Sequence, residues 1–200
     1  MFYNLQIVPS LASSASAPDW TGLMETARAR AGFFTAAEAQ VHGISPQLLR
    51  HRVGKGWVRR ELRGVYRFAS ASPTEHDELI ALWLWSGEEG VFSHVTALFL
   101  HELSDALPGN IHMTVPASWR YARFARPDHV VFHIDELVDA DACWLGYVRI
   151  TSPERTIVDC IAAHVDASWI ASAIVQARKR GLITPVVAAR LQRAQLRGAP

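Results

Sequence analysis

The 200-residue chain contains only two lysines, Lys55 and Lys179, and only two cysteines, Cys143 and Cys160. Neither lysine has a glutamate two positions before it, which removes the usual Glu-x-Lys form of a metal-dependent nuclease site. The cysteines make no Cys-x-x-Cys pair. They read as buried free thiols in a reducing compartment, with a single disulfide as the alternative. There is no Gly-x-Ser-x-Gly elbow, so Ser93, His94 and Asp105 carry no hydrolase signature. No apolar run approaches the ~20 residues of a membrane helix. Residues 1–18 lack the basic start and long apolar stretch of a signal peptide and read as a loose extension, which predicts a cytoplasmic protein.

Charge is present but segregated. Residues 1–70 hold nine Lys/Arg against four Asp/Glu, residues 71–141 three against twelve, and residues 142–200 eight against three. A basic head and an acidic middle predict surfaces with different partners.

Residues 19–70 read as one domain. Asp19 is placed to cap a helix over 20–30, where Leu23, Met24 and Ala27 recur at helical spacing. Thr35-Ala-Ala-Glu38 has the form of a capping box opening a short helix through Val41. Gly43 suits a left-handed helix end, and Ser45 with Pro46 opens a third helix that ends at Gly54 and Gly56. Two short β-type runs, 57–60 and 64–68, then form a hairpin. This is the element order of a winged helix-turn-helix.

Between Ser45 and Phe68 lie Arg50, Arg52, Lys55, Arg59, Arg60, Arg63 and Arg67 against one acid, Glu61. On the third helix Gln47, Arg50 and His51 share a face away from Leu49 and Val53. Arg pairs bidentately with guanine and Gln with adenine in a major groove, whereas hairpin arginines meet phosphates. Ser45, Gln47, Arg50, His51, Arg52, Lys55, Arg59, Arg60, Arg63 and Arg67 are therefore the expected contacts to duplex DNA.

Residues 74–200 read as a mixed α+β domain with helices at its end, making the whole chain α+β. Helices are expected over 75–85, 91–103, 153–164, 168–180 and 184–197, and strands over 111–115, 129–134 and 147–150. His94 and His101 stand seven apart on a helix, and His129 and His133 four apart on a strand, about 13 Å from each other. Neither spacing suits a shared ion, so no metal and no cofactor are expected. Arg155 and Asp159 read as a buried anchor, with a catalytic role as the alternative. The Trp119–Arg126 stretch, with Tyr121, Arg123 and Phe124, reads equally as an interface or as a solvated loop.

Several ordered motifs resemble the AbiEi-type antitoxins. They are Gly32-Phe-Phe-Thr35 with Glu38, His42-Gly-Ile-Ser45, Gly56-Trp-Val-Arg-Arg60 and Arg63-Gly-Val-Tyr66. Downstream, Phe92-Ser-His94, His101-Glu-Leu-Ser-Asp105, Ile111-His-Met-Thr-Val-Pro116 and Thr151-Ser-Pro-Glu-Arg-Thr156 with Asp159 continue the likeness. The resemblance implies a type IV toxin–antitoxin partner. Its winged-helix domain would bind inverted repeats at its own promoter as a non-enzymatic repressor, in two copies or as a dimer. The second domain would counteract a nucleotidyltransferase-like toxin. The alternatives are a stand-alone regulator with a ligand-sensing or oligomerisation domain and, beyond that, a nuclease.

Overall fold

The computed structural model describes residues 17–105, 107–121 and 126–198. The extension read at 1–18 lies almost wholly outside them, as do Arg123 and Phe124. The chain divides into two compact units, 1–73 and 74–200. Among the described residues no helix is long and apolar enough to cross a membrane.

The first unit runs α1 (Trp20–Arg28), β1 (Phe33–Thr35), α2 (Ala36–Val41), α3 (Pro46–Gly54), β2 (Val58–Leu62) and β3 (Val65–Phe68). Local signals set its helix starts. Asp19 accepts from the Gly22 N–H at 2.8 Å. The capping box is complete: Glu38 N–H donates to Thr35 Oγ1 at 3.2 Å, and Thr35 N–H to Glu38 Oε2 at 2.7 Å. Ser45 accepts from Leu48 N–H, and Pro46 occupies the first turn of α3. Leu23, Ala27, Phe34, Ala39, Ile44, Leu49, Val58 and Phe68 form the core. The strands pair antiparallel in the order β1-β3-β2, and a bulge interrupts β2 between Arg60 and Leu62. The winged helix expected from the sequence is present, with β1 added.

Burial pushes the Glu38 carboxyl up, but the Thr35 N–H and the Arg30 guanidinium outweigh that and hold it below the usual glutamate range. Its contribution is thus full above about 4.5 and is lost as pH falls through the lower folded value. Glu38→Gln should cost roughly 1–2 kcal/mol at neutral pH. That difference should vanish in acid, as urea denaturation at a series of pH values would show. A deficit that ignores pH would assign Glu38 a steric role only.

The second unit comprises α4 (Asp77–Trp85), β4 (Val91–Phe92), α5 (His94–Leu100), β5 (Ile111–Val115), β6 (Val130–Ile134), β7 (Ala142–Leu145), β8 (Val148–Thr151), α6 (Pro153–Ala162), α7 (Ala167–Lys179) and α8 (Pro185–Gly198). Its sheet order is β6-β5-β4-β8-β7, with β5–β6 and β4–β8 parallel and the other pairs antiparallel. Leu98, Ile157, Ile174, Ala177 and Leu191 belong to the cluster that packs α5 to α8 together. The helix expected over 91–103 is divided: Val91 and Phe92 pair with β5 and β8, and α5 starts only at His94. Both cysteines are free, Cys160 buried and Cys143 half-buried.

Candidate nucleic-acid interface

Leu49 is buried at the inner face of α3 with Leu48 and Val53 packed against the same core, which turns the other side of the helix outward. Ser45, Gln47, Arg50, His51 and Lys55 are all exposed. On the wing the bulge leaves Arg59, Arg60 and Glu61 exposed in succession, and Arg63 is exposed at the hairpin turn beside Gly64 (φ +80°). Arg59 Nε lies 3.5 Å from Glu61. Among the described residues no acid pairs with Arg50, Arg60 or Arg63. The first unit therefore presents a helix of hydrogen-bond donors and a cationic hairpin, groups that suit base edges and phosphates respectively.

Two expected contacts are corrected. Arg67 is 2% exposed. Its Nε donates to the Ala31 carbonyl at 3.2 Å and another guanidinium nitrogen donates to the Ser72 carbonyl at 2.5 Å, while the group stacks over Phe33 at 4.8 Å. Strand alternation explains this, because Arg67 faces inward from β3 between Val65 and the chain that follows. A buried cation committed to carbonyls is not placed to meet a phosphate. Arg52 is half-buried; its guanidinium lies 4.1 Å from the Trp57 ring and 5.2 Å from Trp20, beside an apolar groove that Met24 also lines. Its guanidinium packs over these rings instead of standing free on the α3 surface.

Arg67→Met should cost about 2–3 kcal/mol by leaving carbonyls without their donor. DNA affinity per folded molecule should stay within about twofold, in contrast to the exposed arginines. Thermal melts beside anisotropy would test this, and a stable variant that binds DNA poorly would restore Arg67 to the interface.

In the second unit Arg155 Nε donates to Asp159 Oδ1 at 2.7 Å and Nη1 to Asp141 Oδ2 at 3.2 Å, while Nη2 pairs with Asp135. Burial pushes the Asp159 carboxyl up; Arg155 opposes this, and Asp135 and Asp141 add to the rise. Its Oδ2 is buried without a hydrogen-bond partner. Trp119 is also placed differently from a loop aromatic. It is buried in a short 3-10 helix, Ala117–Tyr121, its indole N–H donating to Glu89 at 2.6 Å, between Trp85 and Phe132.

One grouping is invisible to sequence spacing. His94, His112 and His133 each bring a ring nitrogen within 4.8 Å of those of the other two. Burial holds all three below the usual histidine range, His94 at about 3, where His133, His112 and Arg155 add to the effect. Spacing within one element cannot show such a group, because it needs the β5–β6 register and the start of α5. His101, the partner considered for His94, instead donates from Nε2 to the Thr151 carbonyl at 2.7 Å.

The first unit is a winged helix-turn-helix with a donor-rich third helix and a basic wing. Residues 23–69 match the family model described as “Transcriptional regulator, AbiEi antitoxin”. No curated protein matches the chain. Among solved structures, the RV2827C protein from Mycobacterium tuberculosis is similar at 14% identity and a TM-score of 0.47. The match covers 86% of this chain and 80% of that one.

Proposed function

We propose that the chain is a DNA-binding autorepressor, with 19–70 as its DNA-binding domain and α3 seated in the major groove. The observation that carries this is the exposed set Gln47, Arg50 and His51 on α3 beside Arg59, Arg60 and Arg63 on the wing, all on one small unit. Helix donors read base edges, and wing cations hold the backbone. Two copies would meet an inverted repeat at the gene's own promoter. Residues 74–200 would act as the antitoxin domain against a nucleotidyltransferase-like toxin, in keeping with the antitoxin family whose model residues 23–69 match.

Fluorescence anisotropy with the duplex immediately upstream of the gene, against a scrambled duplex, tests the first half. Preference for the native duplex by about tenfold or more, weakening steeply with salt, is the expected result. Equal weak binding to both would reduce the basic face to a solvated surface. Co-expression with the neighbouring gene product tests the second half: rescue of growth supports antitoxin action, and a harmless neighbour favours a stand-alone regulator.

A further inference from the structure

We infer that His94, His112 and His133 form a binding site for a divalent cation of the zinc class, in the second unit and independent of the DNA-binding reading. The three residues come from three elements: His94 opens α5, His112 lies on β5 and His133 on β6. Side chains alternate along a strand, so His112 and Thr114 share a face. The parallel register sets Thr114 beside His133. The face that α5 approaches is thereby lined with imidazoles.

The distances suit coordination. His112 Nδ1 and His133 Nε2 are 3.0 Å apart, and two nitrogens on one tetrahedral zinc stand roughly 3.3 Å apart. The His94 ring stacks on His133 with centroids 3.5 Å apart, so binding one ion through both requires the His94 ring to turn out of that stack. His94 Nδ1 already sits 2.9 Å from Ser93 Oγ, which accepts a hydrogen bond from Thr114 Oγ1 at 2.8 Å. If Nδ1 donates that bond to Ser93, Nε2 of His94 is left as the ligand atom, the arrangement outer-shell partners commonly impose on metal-bound histidine.

Two further observations agree. Ser93 stands at the cap of α5, yet its hydroxyl makes no capping bond and is committed to His94 and Thr114 instead. His94 itself holds φ at +53°, in the left-handed region that few side chain-bearing residues adopt. The nearby cation, Arg155, is already neutralised by Asp135, Asp141 and Asp159, so its repulsion of a bound ion is reduced. Three imidazoles suit zinc, and Co2+ reports the same geometry optically.

The test is a Co2+ titration of the full chain after treatment with a chelator. Visible bands of tetrahedral Co2+ should saturate at one ion per chain and disappear when Zn2+ is added. Zn2+ at about a hundredfold above its dissociation constant should raise the melting temperature by roughly 5 °C or more. His112→Asn and His133→Gln should each weaken binding about a hundredfold, whereas His129→Asn, at an exposed histidine paired with Glu78, should not. X-ray absorption of the zinc-loaded wild-type protein should count three imidazoles, a readout that does not require the variants to fold. Absence of saturable tetrahedral bands in the wild type, fewer than three imidazoles, or binding that survives both substitutions would overturn the assignment.

Discussion

Arg155→Met should destabilise the second unit by about 3–5 kcal/mol at neutral pH, the cost of stripping a buried ion pair of one partner. Asp159, 7% exposed, would lose the guanidinium that satisfies Oδ1, while its Oδ2 already lacks a hydrogen-bond partner. Asp135 and Asp141 would then face it with no intervening cation. The pH dependence has a definite sign. Removing Arg155 raises the folded Asp159 carboxyl further above the ordinary aspartate value of 3.8. The variant's deficit is therefore largest at neutral pH and shrinks as pH falls toward that unfolded value. Adding Asp159→Asn should recover much of the loss, because the buried charge goes with it. Urea transitions of the single and double variants, followed by tryptophan fluorescence at about pH 7 and about pH 5, decide this. A deficit below about 1 kcal/mol, or one indifferent to Asp159→Asn, would mean that the network is ornamental to stability.

The second large effect concerns the interface. Arg50→Ala should cost the native duplex roughly ten- to a hundredfold in affinity while leaving scrambled DNA nearly untouched, the signature of a base contact worth ~1–3 kcal/mol. The double variant Arg59→Ala/Arg60→Ala should instead weaken both duplexes alike. The slope of log affinity against log salt should become shallower by about 2, since each arginine removed leaves one phosphate with its counterions. Helix and wing are thereby distinguished by what changes, not by how much. Should Arg50→Ala weaken both duplexes equally, α3 would lie along the backbone and base reading would have to come from elsewhere.

What the sequence makes legible is what depends on short-range chemistry. Asp19, the Thr35–Glu38 box and Ser45-Pro46 each specify a helix start within three residues, and all three act as caps in the fold. β1 stays hidden because three residues, Phe33–Thr35, carry no alternation to recognise; they are a strand only because β3 pairs with them. Val91 and Phe92 belong, on pattern alone, to the apolar run that follows, and only their partners on β5 and β8 make them extended. Ala142–Leu145 is a strand for the same reason, through β8. Arg67 is misplaced when every hairpin arginine is treated alike, although strand alternation turns it inward. The histidine group depends on a parallel register between strands that sequence spacing cannot supply.

The position of β2 at the end of the order β1-β3-β2 carries a further consequence. A terminal strand offers unpaired backbone N–H and C=O groups to any other extended chain, and proteins guard such borders with charge and irregularity. Here the guards are Arg59, Arg60 and the bulge that follows them. The residues proposed to meet phosphate would thus also oppose the zipping together of two wings. Substitutions that trade their charge for β-branched side chains would favour self-association as they weaken DNA binding.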